Sequence, residues 1–494
     1  MPAARFPRAA VSVCLGLVRF LFMSTPAAFS RRSFFKTSAA GLGALALPQI
    51  FTSRAYGAAN RKLNVAVIGC GNRSRQLIPS ILQEGDNIVA LCDVHRSQID
   101  LRLGGDIGGK KNAKSAEVAA GLARARIYDD YRKLFETEKS LDAVVIASGQ
   151  NWHLAMTKLA LEAGKHVFCE KPLAHSAGEA RQIARMMPAS KVVTQIGTQG
   201  GSTDTFRRSM EIIQAGVLGE IREVHCWINR FFPASEPIAT QADAIPADLN
   251  WDFWCGPSRM LPFKQHYLGG CLQWGRWFEF GDGHLADMGA HAHNLPLRAL
   301  KLGPPVRIEA FCGEPVKDSY PSATRFRWDF AARENFPPVS VWWHDGADAA
   351  PPADLTADLV ATYGKVPANG VLFVGSKGIL RSDAWGVGGV MRLKDDANPK
   401  CRGVLEHEAA KPVPEVYPRV AGQHMKEFLD ACRGGPKTFQ DFNYAARAAE
   451  FGMTGIVALR AGQPIDWDSA NLKARGCPQA DEFIHLPVRK KWLA

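Results

Sequence analysis

The sequence predicts a two-domain α/β protein: a doubly wound parallel sheet of nucleotide-binding type, then a larger α+β domain built on a large, mainly antiparallel sheet. Three observations carry that expectation. At 494 residues the chain is longer than one hydrophobic core ordinarily spans. From Leu63 to Gln199 short β-branched runs alternate with helical stretches, the pattern of parallel strands joined by crossover helices. After residue 200 strand-like runs succeed one another with few helices between them, as in an antiparallel sheet.

Composition and charge narrow the function. Apolar residues make up 46% and charged residues 22%, the balance of a packed globular chain. The net charge of +12 suggests nucleic acid until it is located. Seven of those charges, Arg5, Arg8, Arg19, Arg31, Arg32, Lys36 and Arg54, lie in residues 1–59 without any acid, which leaves +5 for the remainder. The short basic stretch Arg489, Lys490, Lys491 reads as a solvated tail, and no nucleic-acid partner is expected. The cysteines are scattered without a CxxC pair, so no metal site is expected.

The first 59 residues read as a leader. Ser30-Arg31-Arg32-Ser33-Phe34-Phe35-Lys36 and the weakly apolar run Ser38 to Ile50 resemble a twin-arginine export signal, with small residues at Ala55, Gly57, Ala58 and Ala59 as a cleavage region. The apolar stretch is shorter than the roughly 20 residues a membrane-spanning helix requires. An earlier apolar stretch, Val11 to Met23, leaves Met1 and Met23 both open as the start. The expected location is periplasmic or otherwise extracytoplasmic, with no membrane association after processing.

From Leu63 the order is strand, glycine turn, helix, strand, acid: LNVAVIGCGNRSRQLIPSILQEGDNIVALCDV. Gly69 permits the tight turn and Gly71 a close approach of backbone to pyrophosphate at a helix N-terminus. Ser74 stands where a third glycine is usual. Asp93, 24 residues after Gly69, is placed to accept the ribose hydroxyls of NAD and to repel a 2′-phosphate, while Arg96 keeps NADP open. This segment reads as a Rossmann domain over residues 60–199.

A further strand-like run, Leu141 to Ser148, precedes Gly149-Gln150-Asn151-Trp152-His153 and a helical stretch closed by Gly164. Then comes Ala163-Gly164-Lys165-His166-Val167-Phe168-Cys169-Glu170-Lys171-Pro172. This AGKHVFCEKP, with IASGQNWH before it and VVTQIGTQ at residues 192–199, resembles the Gfo/Idh/MocA family of oxidoreductases. Lys171 would end a buried strand at the carboxyl edge of the sheet, where such sheets bind ligands, and a cationic nicotinamide there would disfavour its charge. The resemblance implies that Gly69, Gly71, Asn72, Arg73, Asp93, Ser148, Asn151, His153, Glu170 and Lys171 hold the cofactor, NAD or alternatively NADP.

Residues 200–494 read as the substrate and oligomerisation domain. A helical stretch, Asp204 to Ala215, leads to strand-like runs at Ile221 to Arg230, Val306 to Phe311, Arg325 to Phe330, Val339 to His344 and Val371 to Val374, and the last 25 residues read as an arm wrapping the surface. In GDGHLADMGAHAHNLPLRAL, starting at Gly281, Asp287 and His291 are four apart and so share a helix face. The resemblance implies that His291 is the catalytic base, that Asp287 orients it or binds a sugar hydroxyl, and that Lys171 completes the catalytic set. A second family aspartate is Asn294 here, and His293 reads as packing. Trp251, Trp254, Trp274 and Trp277 fill a core or cover the apolar faces of a sugar.

The expected function is an exported oxidoreductase on a sugar, polyol or glycoside hydroxyl with its cofactor retained through turnover. The alternatives are an NAD-dependent glycoside hydrolase or lyase working by redox-neutral oxidation and elimination, and a non-catalytic sugar-binding protein. The resemblance also implies a homo-oligomer, a dimer or tetramer.

Overall fold

The computed structural model describes residues 61–109 and 111–492; the twin-arginine reading and both candidate start sites lie outside them. Six short strands form the first sheet: β1 (Asn64–Ile68), β2 (Asn87–Cys92), β3 (Arg126–Tyr128), β4 (Ala143–Ile146), β5 (His166–Cys169) and β6 (Thr194–Ile196). All pair in parallel, in the order β3-β2-β1-β4-β5-β6. That is the doubly wound order whose reversal, between β1 and β4, opens a crevice at the carboxyl edge. The central strands are nearly continuous apolar runs because both faces are covered.

One face of this sheet buries Val65, Val67 and Val145 under α1 (Ser74–Gln83) and α3 (Ala113–Leu122); α2 (Arg96–Leu103) follows β2. The other buries Ala66, Ile68 and Val144 under α4 (Tyr131–Thr137), α5 (His153–Glu162) and α6 (Ala177–Met186). Ser74, in the place of the third glycine, is fully buried, and its hydroxyl donates to Gly71 O at 2.6 Å, so the turn is closed by a hydrogen bond.

After α7 (Asp204–Gln214) come ten strands: β7 (Ile221–Ile228), β8 (Arg307–Cys312), β9 (Thr324–Phe330), β10 (Val339–Asp345), β11 (Asn369–Gly375), β12 (Gly378–Ser382), β13 (Val390–Leu393), β14 (Arg402–Gly403), β15 (Ile465–Asp468) and β16 (Lys473–Arg475). They form one sheet, β14-β13-β12-β11-β7-β10-β9-β8-β15-β16, antiparallel throughout except where β10 runs parallel to β7. The inner face, with Val224, Cys226, Phe326, Trp328, Val341, Trp343 and Phe373, packs on the domain core. On the opposite face His225 stacks with Trp342 and His344, and Trp227 and Leu372 are covered by the short helix Ala357–Tyr363 through Leu359.

Two helices from the C-terminal part cross the boundary expected near residue 200. Helix α8 (His424–Cys432) lays Met425, Phe428 and Leu429 against Val145 and Phe168 of the first sheet. Helix α9 (Phe442–Ala461) places Phe442, Ala445 and Ala446 in the first domain's core and Phe451, Ile456 and Val457 in the second's. Arg181 of α6 clamps it through Glu450, at 2.6 and 2.8 Å.

The end of the chain corrects two expectations. Part of the supposed arm is sheet, since β16 pairs with β15. The basic tail is also engaged rather than solvated: Arg489 donates to Asp252 and to Gly256 O at 2.6 and 2.8 Å, and Lys491 pairs with Asp252. The acceptor lies 237 residues upstream, beyond the reach of any local charge pattern.

Candidate active site

The crevice at the carboxyl edge is a cleft of about 380 Å³, walled by the glycine turn and Asp93 of the first domain and by residues 253–287 of the second. Gly69, at φ +93°, has Ala147 packed against it: a Cβ would lie 2.5 Å from that residue's backbone carbonyl. Around Gly71 no atom of the described residues beyond its chain neighbours lies within 4 Å of where a Cβ would be, and the residue lines the cleft. The turn leads into the N-terminus of α1, where the helix dipole favours negative charge. Asp93 accepts from the N–H groups of Cys70 at 2.6 Å and His95 at 2.9 Å. Burial pushes this carboxyl up, against those two hydrogen bonds. Arg96 points away, pairing with Asp100 at 2.8 Å.

A pair of substitutions separates fold from ligand here. Gly69→Ala is expected to cost on the order of 3 kcal/mol of stability, because both φ and the Ala147 contact oppose a side chain. Gly71→Ala is expected to change stability by less than about 0.5 kcal/mol and yet weaken dinucleotide binding by about tenfold or more. Urea unfolding and NADH fluorescence titration of the two variants check this.

At the inner end of the cleft the ammonium of Lys171, just past β5, donates to the carboxylate of Asp287 and to Asp287 O, the latter at 3.1 Å. This pair crosses from the first domain to the second. Glu170 is occupied separately by Arg73, Nε to Oε1 2.6 Å. Burial works against the Lys171 charge, but the Asp287 carboxylate outweighs it and the net shift is upward. Burial likewise raises the Asp287 carboxyl, and Lys171 overcomes it so that Asp287 falls below the usual range.

The remaining cofactor-side candidates surround that pair. Ser148, Asn151 and His153 line the cleft with Asn72, Arg73 and Glu170. His153 is held between Pro172 O at 2.7 Å and Ser148 O at 3.3 Å, and burial brings it down to about 4. The Asn151 amide donates to Cys255 O at 2.9 Å, so its side chain ties the two walls together.

The DxxxH segment is not one helix but three short turns, Gly283–Asp287, Gly289–Ala292 and Asn294–Ala299, bent at Met288 and His293. Asp287 and His291 still lie close together, yet Asp287 hydrogen-bonds Lys171 rather than orienting the imidazole. The Nδ1 atom of His291 is buried without a hydrogen bond among the described residues. Burial, reinforced by Lys171, holds this imidazole well below its ordinary value, with Asp287 opposing. His291 is thus neutral and Lys171 charged. His293 packs against Trp328, Trp343 and Phe451, as expected of a core residue. Asn294 is buried, donating to Gln440 at 2.7 Å and accepting from Tyr444 at 2.7 Å, so it braces the fold.

The four tryptophans divide evenly. Trp251 and Trp277 are buried in a small aromatic cluster, whereas the half-buried Trp254 and Trp274 line the cleft. Two residues missed in the sequence stand beside Asp287: Arg230, just past β7, with its guanidinium 3.8 Å away, and Cys271, with its Sγ 4.0 Å away. Neither belongs to a motif, and only the fold brings them there.

Residues 63–198 match the family described as an oxidoreductase family with an NAD-binding Rossmann fold. An inositol 2-dehydrogenase of Serratia proteamaculans is 29% identical over 168 residues, covering 33% of this chain and 45% of that protein. A glycosyl hydrolase family 109 protein of Parabacteroides distasonis is 28% identical over 212 residues, 40% of this chain and 44% of that one. The aligned regions thus span less than half of these curated relatives. Among solved structures, the WlbA dehydrogenase from Bordetella pertussis in complex with NADH and UDP-GlcNAcA has a TM-score of 0.54 at 15% identity, covering 83% of this chain and 99% of that one. At that identity the likeness is one of fold.

Proposed function

We propose that this protein is an NAD(P)-dependent oxidoreductase, with NAD favoured, acting on a hydroxyl of a sugar, polyol or glycoside; the match of residues 63–198 to the Gfo/Idh/MocA oxidoreductase family supports this reading. The observation that carries the reading is the Lys171–Asp287 pair bridging the two domains in the same cleft that Gly69, Gly71 and Asp93 line. The cleft fits a dinucleotide, with open space at Gly71 and a carboxylate at the end of β2.

Bound NAD supplies a hydride acceptor. The chain's own residues handle the proton and the substrate. Lys171, held charged, donates a hydrogen bond to the reacting hydroxyl oxygen and stabilises negative charge developing there. His291, held neutral, accepts the hydroxyl proton. Asp287 holds Lys171 in place, and Trp254 and Trp274 offer apolar faces to a sugar ring.

The leader supports export by the twin-arginine route, in which a folded protein leaves the cytoplasm with its cofactor already bound and keeps it through turnover. The outer face of the second sheet, with its stacked His225, Trp342 and His344, is the surface through which a dimer or tetramer would form. A second reading rests on the family 109 match: an NAD-dependent glycosidase that oxidises a hydroxyl, eliminates the glycosidic substituent and returns the hydride.

Denaturing the purified mature protein and assaying released NAD(P), with a screen of sugars and glycosides on the native enzyme, tests these readings. Absence of both released cofactor and dehydrogenase activity with added cofactor sinks the oxidoreductase reading and favours a sugar-binding protein. Aglycone release from a chromogenic glycoside without net NADH promotes the glycosidase.

A further inference from the structure

One wall of the cleft is a strap, residues 248–256, contributed by the second domain. It is sewn to the first domain at two places. Near Asp93, Arg96 N donates to Asp248 O and Asn250 N donates to Val94 O, both at 3.0 Å, and Ser97 N donates to the Asp248 carboxylate at 3.0 Å. Beyond β4, Trp152 Nε1 donates to Phe253 O at 3.1 Å and Asn151 to Cys255 O at 2.9 Å. Gly256, at φ +56°, lets the strap lie directly on the Trp152 indole, where a Cβ would sit 2.2 Å from the ring. Phe253 and Trp254 of this strap line the cleft facing the glycine turn.

The strap is backed by the end of the chain. Arg489 donates to the Asp252 carboxylate at 2.6 Å and to Asp252 O and Gly256 O at 2.8 Å, gripping the strap by its backbone as well as its side chain. Trp492 closes a cluster that spans the two domains: its ring centroid is 4.6 Å from Phe253 of the strap and 5.1 Å from Trp152 of the first domain, with the Arg132 guanidinium 5.0 Å away. Separating the strap from the first domain requires breaking this cluster as well as the backbone hydrogen bonds.

We propose that Arg489 and Trp492 form a latch that holds the strap closed along the dinucleotide cleft and sets how slowly the cofactor leaves. This inference rests on the NAD-dependent reading above and names the residues that make the cofactor non-exchanging. Neither residue lines the cleft, so both are positioning residues.

The test is NADH release from the loaded holoenzyme, followed by fluorescence after mixing with excess NAD. Trp492→Ala and Arg489→Ala are expected to accelerate release by about tenfold or more, Arg489→Lys by less, and to raise the half-saturating NAD concentration. Asp252→Asn, which weakens the latch from the strap side, gives the same phenotype if either arm variant fails to fold. Release at the wild-type rate from variants that fold overturns the latch, even if their thermal midpoints fall. A wild-type protein that takes up no NADH overturns both the latch and the cofactor reading. Wild-type retention with unchanged variants overturns the latch alone.

Discussion

Replacing Lys171 with Met is expected to lower kcat/KM by about a thousandfold, because the proposed role of its ammonium at the inner end of the cleft is to stabilise charge developing on the reacting oxygen. The substitution also leaves Asp287, only 16% exposed, without its hydrogen-bonded counter-ion, and the nearest remaining cation is Arg230 at 3.8 Å. A stability loss of about 2 kcal/mol should accompany the kinetic one. The double variant Lys171→Met/Asp287→Asn separates the two effects: it should recover stability in urea unfolding without recovering turnover. Recovery of activity in the double variant would mean that Lys171 serves only to neutralise Asp287.

The second large effect is expected at His291. His291→Asn should reduce kcat by roughly a hundred- to ten-thousandfold, the range associated with loss of a positioned base, while the purified protein carries the same NAD content as wild type. The pH profile gives an independent check. A base works when deprotonated, so activity falls as pH drops through its pKa. Burial and the adjacent Lys171 hold His291 well below the ordinary 6.5. Wild-type kcat should therefore stay level through pH 6.5 and fall only at more acid pH. An acid limb centred at or above 6.5 would remove His291 from the role, as would full turnover by the Asn variant.

The protonation states bear on the roles that the family resemblance implies for Lys171 and His291. Lys171 and His291 both titrate in principle, and the family resemblance implies that His291 is the base. In the structure a carboxylate faces Lys171, while His291 is buried beside the Lys171 ammonium with Asp287 opposing. Asp287 and His291 were legible because a spacing of four survives even a helix bent at Met288. Gly69, Asp93 and Lys171 were legible because each ends a strand of a recognisable parallel pattern. The arrangement of the doubly wound sheet and the antiparallel character of the second sheet followed from the same periodicities, though nothing local announces that β10 runs parallel to β7.

What escaped the sequence depends on long-range contacts. Trp251 and Trp254 look equivalent in WDFWCGP, and only the side of the short helix Trp251–Cys255 that meets the cleft distinguishes them. Asn294 stands where the family often has an acid, but Gln440 and Tyr444, roughly 150 residues away, make it a brace. Arg489 looked like a free cation because Asp252 is invisible from the tail.

Helix α8 carries a consequence for biogenesis. Its Phe428 and Leu429 seal one side of a sheet whose last strand, β6, ends at Ile196. On the ribosome, a nascent chain that has already paired all six of those strands still presents an unsealed greasy surface until more than two hundred further residues have been synthesised. A fragment ending near residue 199 is therefore expected to be sticky rather than a soluble miniature of the whole.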